Sequence, residues 1–105
     1  MKMVLVIYDA GIDEDLRGVL DEARIEAYTK LTGATGTGHK GHRFGTPIWP
    51  GTNTLLWIAL PDAQVTGLVR QLETLKSSYL KPPALHIFVL PVDVIGQGPT
   101  SAVPP

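Results

Sequence analysis

Cysteine is absent from this sequence of 105 residues, which excludes disulfide bonds and thiolate metal sites. Charge is also scarce, since charged residues make up 18% of the chain and the formal net charge is −1. A near-neutral chain has no overall field that attracts nucleic acid or an anionic membrane, so neither is expected as a partner. The apolar run near the N-terminus is too short for a signal peptide or a membrane span. These absences predict a single-domain cytoplasmic protein without membrane insertion.

Acidic residues are missing from one continuous stretch, residues 27–61. Within it, residues 32–52 read TGATGTGHKGHRFGTPIWPGT and are rich in glycine and threonine. Connections beyond about 12–15 residues without secondary structure are usually functional or disordered. We therefore expect a loop at about residues 33–52 that is either a solvated connection or a site for an anion or a protein partner. Its cationic or titratable side chains are His39, Lys40, His42 and Arg43.

Hydrophobic patterning predicts four strands and two helices. Apolar runs predict strands at residues 3–8, 54–60 and 85–94, and a threonine-rich segment predicts another at 28–35. Helical periodicity predicts helices at about residues 12–24 and 62–79, with Asp62 as the N-cap of the second. The order β-α-β-β-α-β is typical of a ferredoxin-like α/β (α+β) sandwich. Residues 1–95 would form this domain, and residues 96–105 a flexible tail.

The predicted strands are more apolar than one buried face requires. Two helices cover one face of a four-stranded antiparallel sheet, so its strands should alternate apolar and polar residues. The first, third and last strands instead read MVLVIY, LLWIAL and HIFVL. The second face must then also be covered, and we predict a homo-oligomer, a homotrimer by the resemblance given below, that packs through this face. Trp57 is expected in the core or at this interface, and Trp49 is expected either to anchor the returning arm of the loop or to stack on a ligand.

The loop contains a GxGxxG pattern at residues 36–41. A dinucleotide-binding fold needs a helix that begins within this pattern, whereas residues 42–47 (HRFGTP) have no helical character. The glycines have another use, because glycine backbone approaches a phosphate closely and consecutive N–H groups form an anion-binding nest. The predicted ligand-binding residues are Gly36, Thr37, Gly38, His39, Lys40 and Arg43.

Histidine gives a second candidate chemistry. His39 and His42 are spaced H-x-x-H, which suits a divalent metal, although no cysteine or carboxylate adjoins them. They are either surface histidines or ligands of a metal that another part of the assembly completes. His86 is expected to be a hydrogen-bonded structural residue of the last strand. The acids of the first helix are expected on its solvated face, and no catalytic constellation is evident, so we do not expect an enzyme.

Residues 36–42, GTGHKGH, resemble the G-x-G-x-x-K-G-H segment at the start of the long T-loop of PII proteins, with one residue fewer. The apolar strand at residues 54–60, followed by Pro61, resembles the strand after that loop. The chain is similar in element order, over residues 1–95, to the PII-like superfamily of signalling proteins, which includes the CutA proteins. One segment departs from the pattern. The T-G-x-x-G-D-G-K-I stretch that holds phosphates in PII proteins is replaced by YLKPP at residues 79–83.

The resemblance implies a homotrimer that binds ATP or ADP between subunits and contacts a target protein through the T-loop. It implies that the backbone of Gly36 and Gly38 approaches the nucleotide and that Lys40 anchors a phosphate or the loop. We therefore predict a trimeric PII-like regulatory protein that binds a small ligand at the subunit cleft, which is an adenine nucleotide, a divalent metal or another small anion. The departure at residues 79–83 favours a branch with a different ligand over a true regulator of nitrogen metabolism. Two alternatives stay open: a CutA-type protein that binds metal through His39 and His42, and a small ferredoxin-like enzyme that uses a loop histidine.

Overall fold

The computed structural model describes residues 1–35 and 53–96. The elements, in chain order, are β1 (Lys2–Asp9), a 3-10 helix (Ala10–Ile12), α1 (Asp13–Glu22), β2 (Thr29–Ala34), β3 (Asn53–Leu60), α2 (Asp62–Ser77) and β4 (Leu85–Pro91). The strands form one sheet in the order β2-β3-β1-β4, and every neighbouring pair is antiparallel. This is the predicted ferredoxin-like α/β sandwich.

The core lies between the sheet and the two helices. Alternate residues of β1 and β3 are buried there, because successive side chains of a strand point to opposite faces. The helices contribute the residues that the 3.6-residue period predicted, and Leu16 and Leu72 have no exposed surface. The buried hydrophobic residues are Val4, Val6, Tyr8, Ile12, Leu16, Leu20, Ile25, Leu56, Ile58, Leu60, Leu68, Leu72 and Leu85.

Asp9 begins the connection from the sheet to the first helix. Its Oδ1 accepts a hydrogen bond from the backbone N–H of Gly11 at 3.1 Å, which caps the 3-10 helix. The α-helix then starts at Asp13, and its first turn carries three carboxylates, which the helix dipole favours. Asp9 therefore caps the short helix through which β1 leads into α1.

Two predicted boundaries were wrong, each for a local reason. Asp62 does not cap α2: the N-cap is Pro61, and the Asp62 carboxylate accepts instead from the N-terminal ammonium of Met1 at 2.7 Å. The helix ends at Ser77 rather than near residue 79, and the hydroxyls of Ser77 and Ser78 donate to carbonyls in its last turn.

The last strand is also shorter than predicted. β4 ends at Pro91, which pairs with Lys2 at the start of β1, so the next residues have no β1 residue to pair with. Val92 still donates to the carbonyl of Met1 at 3.4 Å. The partner strand, rather than the apolar character of residues 92–94, sets the length of β4.

Candidate functional site

The segments that flank residues 36–52 lie together at one end of the sheet. β2 ends there at Ala34 and β3 begins there at Asn53, and these two residues pair with each other. Asn53 also pairs with Asp9 at the end of β1, and Leu85 at the start of β4 lies opposite Tyr8. All four strands, the start of the first helix and the α2–β4 connection therefore meet at this edge, which we call the loop-base edge.

The residues predicted to bind ligand lie outside the described residues. This holds for Gly36, Thr37, Gly38, His39, Lys40 and Arg43, and also for the candidate metal ligand His42 and for Trp49. Their roles stay predictions. Their attachment points at the loop-base edge are what the structure locates.

The end of β2 is irregular just before it reaches the loop-base edge. The register with β3 shifts between Leu31 and Ala34, as in a β-bulge. Gly33, within this shift, has a φ of 72°, in the left-handed region that favours glycine. The backbone conformation, and not a lack of space, therefore favours glycine at this position, because a Cβ placed there would meet no neighbouring atom within 4 Å.

A polar cluster lies on the helix side of the sheet, behind the loop-base edge. The hydroxyl of Tyr8 donates to the Asp13 carboxylate at 2.5 Å, and the Lys30 ammonium lies 2.9 Å from the same carboxylate. These three groups join the end of β1, the start of α1 and the edge strand β2. Lys30 faces the helices because it pairs with the buried Leu56. The cluster therefore fixes β2 against the rest of the domain.

The pKa values of this cluster follow from its contacts. Burial alone would raise the pKa of Asp13, but hydrogen bonds from Tyr8 and Lys30, with the charges of Lys30 and Arg17, lower it below its usual value. Burial, followed by the hydrogen bond to Asp13, raises the pKa of Tyr8 far above its usual value. Tyr8 therefore stays a neutral donor and Asp13 an anionic acceptor over the whole physiological pH range.

Sequence reasoning did not identify this cluster. Asp13 was expected on a solvated helix face, whereas its carboxylate is bound by two side chains. The alternation of side chains along each strand could have revealed it. Tyr8 and Lys30 both fall on the helix side of their strands, where a buried polar group needs a hydrogen-bond partner. Most other acids of α1 are exposed, as predicted, although Asp15 accepts a hydrogen bond from Tyr79.

Two further contacts secure the α2–β4 connection at the loop-base edge. The Lys76 ammonium donates to the carbonyl of Leu85 at 3.1 Å, and the backbone N–H of Asp9 donates to Ala84 at 3.2 Å. The connection itself contains Pro82 and Pro83, which have no backbone N–H to donate. It is anchored at this edge but offers fewer phosphate-binding amides than a glycine-rich segment would.

The sheet face away from the helices is apolar and has no cover within the described residues. We call it the open face. Trp57, Phe88 and Leu90 on it are 36%, 50% and 43% exposed. His86 also lies on this face and is exposed, and its predicted hydrogen-bonded structural role stays a prediction. The apolar members, by strand parity and register, are Met3, Leu5, Ile7, Leu31, Leu55, Trp57, Ala59, Phe88 and Leu90.

Across residues 1–35 and 53–96, no group of three or more His, Asp or Glu side chains is placed to hold a metal ion. Neither helix of this region is long and apolar enough to cross a membrane.

The fold defines a ferredoxin-like α/β protein whose second and third strands flank a long intervening segment. A sequence model of the nitrogen regulatory protein P-II family matches residues 1–97, which include both flanks of that segment. The chain belongs to the nitrogen regulatory protein P-II family, a family of regulatory proteins. A comparison with curated protein sequences gave no match.

Solved structures of PII-like proteins share the fold. CPII from Thiomonas intermedia K12, bound to ADP, AMP and acetate, matches with a TM-score of 0.62 and 16% identity, over 89% of this chain and 88% of that chain. The same protein bound to ADP and bicarbonate matches with a TM-score of 0.62 and 20% identity, over 84% and 81%. A PII-like signaling protein from Thermus thermophilus matches with a TM-score of 0.59 and 20% identity, over 84% and 82%. At these identities the likeness concerns the fold.

Proposed function

We propose that this chain is the subunit of a homotrimeric PII-like regulator that binds an adenine nucleotide at the cleft between subunits, beside the loop-base edge. Residues 36–52 would contact both the nucleotide and a target protein, so that the bound ligand controls the interaction with the target. The protein would act in the cytoplasm as a signalling component, of the nitrogen-regulation type, rather than as an enzyme.

The observation that carries this proposal is the P-II family match over residues 1–97, across the whole described fold. Solved relatives of the same fold are described with ADP and AMP bound, which supports an adenine nucleotide as the ligand class. The loop-base edge fits such a role, because it brings the flanks of the candidate segment beside the α2–β4 connection.

The open face supports the trimeric assembly. A contiguous apolar surface with an exposed tryptophan and an exposed phenylalanine is unusual on a monomer and typical of a subunit interface. A second and a third copy of the same face are the natural cover, since closed symmetric assemblies bury equivalent surfaces.

The α2–β4 connection indicates how the phosphates would be held. Pro82 and Pro83 cannot donate backbone hydrogen bonds, so phosphate contacts must come mainly from elsewhere. We assign them to the backbone of Gly36 and Gly38 and to the cations Lys40 and Arg43. Nucleotide affinity in this protein should therefore depend strongly on residues 36–43.

Isothermal titration calorimetry of the intact chain with ATP, ADP and AMP tests the proposal. We expect binding of at least one nucleotide, and a loss of about tenfold or more in affinity in Lys40→Ala, since a charge-assisted hydrogen bond contributes about 1.5–3 kcal/mol. Gly38→Val should also weaken binding, because its side chain would block the close approach of the backbone.

Arg70→Ala is the matched control for Lys40→Ala, because Arg70 is an exposed cation of α2. It should bind nucleotide as the unmodified protein does. The proposed ligand is wrong if a trimeric preparation binds none of the three nucleotides, or if Arg70→Ala weakens binding as much as Lys40→Ala. A parallel titration with Zn²⁺ and Cu²⁺ addresses the metal alternative, which would gain support from binding that His39→Ala/His42→Ala abolishes.

A further inference from the structure

A surface cavity of about 430 Å³ lies between the end of α1 and the first half of α2, and we call it the helix cavity. α1 ends and α2 begins at the end of the sheet opposite the loop-base edge, so the cavity is separate from the proposed nucleotide site. Residues of α2 at three- and four-residue intervals form one wall, because they share a helix face. The walls include Arg24 and Ile25 of the α1–β2 connection and Gln64, Leu68 and Gln71 of α2.

Arg24 occupies a backbone position that favours glycine. Its φ is 60°, in the left-handed region in which helices commonly end on glycine. The backbone N–H of Arg24 donates to Asp21 at 3.0 Å, and that of Ile25 donates to Leu20 at 2.9 Å, which completes this helix end. A residue with a Cβ is unfavourable in this conformation. The chain therefore has an arginine where glycine would be more stable, and this arginine forms no ion pair in the described part of the chain.

Gly67 shows the opposite substitution on the facing helix. Glycine weakens a helix interior relative to alanine, and a Cβ at this position would meet no neighbouring atom within 4 Å. Packing therefore does not require this glycine, whereas its missing side chain leaves space in the wall of the helix cavity. Arg24 and Gly67 both depart from the locally favoured residue, and both line the same cavity. Such departures are expected at functional sites.

Gln71 adds an amide one helical turn after Gly67. Its Oε1 is buried and has no hydrogen-bond partner among the described residues. An unpaired buried acceptor is unfavourable, and the terminal torsion of glutamine is broad, so the amide can turn towards the cavity and accept from a ligand there. Ile25 and Leu68, which are 9% and 2% exposed, give the same cavity an apolar wall.

We propose that the helix cavity binds a small organic acid. Its carboxylate pairs with Arg24, its hydrogen-bonding group meets the Gln71 amide, and its short apolar part packs on the apolar wall. The guanidinium fork matches a carboxylate in a bidentate contact, and sites for small molecules usually have volumes of about 300–1,000 Å³. Asp21 and Glu22, the acids that precede Arg24 in the chain, line a different groove together with Tyr79. The cavity lies on the helix side of the sheet, so the inference depends neither on the proposed trimer nor on the proposed nucleotide.

Titration of the full chain with N-acetylleucine, followed by heteronuclear NMR, tests the inference. This probe combines a carboxylate, an amide and an apolar side chain, and N-acetylleucinamide is the matched probe without the carboxylate. We expect saturable shifts in the backbone signals of residues 23–25 and in the side-chain amide signals of Gln71, with millimolar affinity. N-acetylleucinamide should bind about tenfold or more weakly, because it cannot form the charge-assisted pair with Arg24.

Two variants separate a binding role from a structural one. Arg24→Gly should weaken binding of N-acetylleucine by about tenfold or more and yet raise the midpoint of urea unfolding, because glycine suits the left-handed conformation. Gly67→Leu should abolish binding by filling the cavity. Gly18→Leu is its matched control, since it adds the same side chain to α1, where a Cβ also meets open space, and should bind as the unmodified protein does.

Three results would overturn the inference. They are the absence of saturable shifts at about 50 mM N-acetylleucine, equal binding of N-acetylleucinamide, and unchanged binding in Arg24→Gly. Shifts confined to the loop-base edge would also contradict it, and would leave the proposed nucleotide site standing.

Discussion

The two faces of the sheet are built from the same strands, but the helices cover only one of them. On the covered face Val6 and Leu56 have no exposed surface, whereas on the open face Trp57 and Phe88 are 36% and 50% exposed. Adjacent residues make the two surfaces, because strand side chains alternate. Both surfaces are hydrophobic, so cover by the helices, rather than residue type, decides burial within one subunit. This difference is the reason for proposing that the open face is a subunit interface.

The largest expected effect comes from a pair of neighbours on β3 that face opposite ways. Leu56→Ala removes a fully buried side chain and should lower the free energy of unfolding of the subunit by about 2–5 kcal/mol. Leu55→Ala lies on the open face and should mainly weaken assembly. Urea unfolding measures the first effect, and sedimentation velocity at several concentrations measures the second. Equal losses of subunit stability in both variants would contradict the assignment of the two faces.

A charge on the open face should break the assembly without unfolding the subunit. Phe88→Lys places an ammonium among apolar residues, which an interface tolerates poorly, whereas a solvated face accepts it. We expect a folded monomer by size-exclusion chromatography with light scattering and circular dichroism. Thr66→Lys, on an exposed position of α2, is the control and should stay associated. An associated Phe88→Lys protein would show that the open face is not the interface.

Acid should weaken the covered side of the sheet through Asp13. The pKa of Asp13 is lowered in the folded protein, so the ionised carboxylate stabilises the fold. This contribution to the free energy of unfolding is fully present above the unfolded pKa of about 4 and is lost as pH falls below that value. Asp13→Asn should lower the free energy of unfolding by about 1–3 kcal/mol at neutral pH, and this free energy should then fall less steeply in acid than it does in the unmodified protein. Thermal or urea unfolding between about pH 6 and about pH 2 measures both. An unchanged acid profile in the variant would argue against the cluster.

The smallest expected effect concerns the edge of the sheet. Gly33→Ala forces a side chain into a left-handed backbone conformation and should cost about 1–2 kcal/mol. Gly18→Ala, inside α1 and with open space around a Cβ, should instead stabilise by about 0.5–1 kcal/mol. Urea unfolding of the two variants side by side checks the opposite signs. A stabilised Gly33→Ala protein would contradict the bulge at the end of β2.

Local patterns in the sequence predicted most of the fold. The period of α2 identified Leu68 and Leu72, and the uninterrupted apolar character of β1 and β3 predicted a second apolar face. Features that depend on strand register could not be predicted in this way. Lys30 meets Asp13 only because β2 pairs with β3 and thereby turns this lysine towards the helices, and β4 stops at Pro91 only because its partner begins at Lys2.

The candidate site, like the fold, was predictable from local sequence only in part. Glycine content, charge and length identified residues 36–43 as ligand-binding candidates, and these predictions lie outside the described residues. What the structure adds is the edge to which they attach, with the Tyr8–Asp13–Lys30 cluster behind it. Side-chain alternation along β1 and β2 could have placed Tyr8 and Lys30 on the helix side, but no local motif identifies Asp13 as the partner of both.

Native mass spectrometry of the full chain at about pH 8 shows whether the open face joins subunits. We expect one dominant species with three times the mass of the subunit, and a shift to the subunit mass in Phe88→Lys. A dominant species at the subunit mass in the unmodified protein would contradict this expectation.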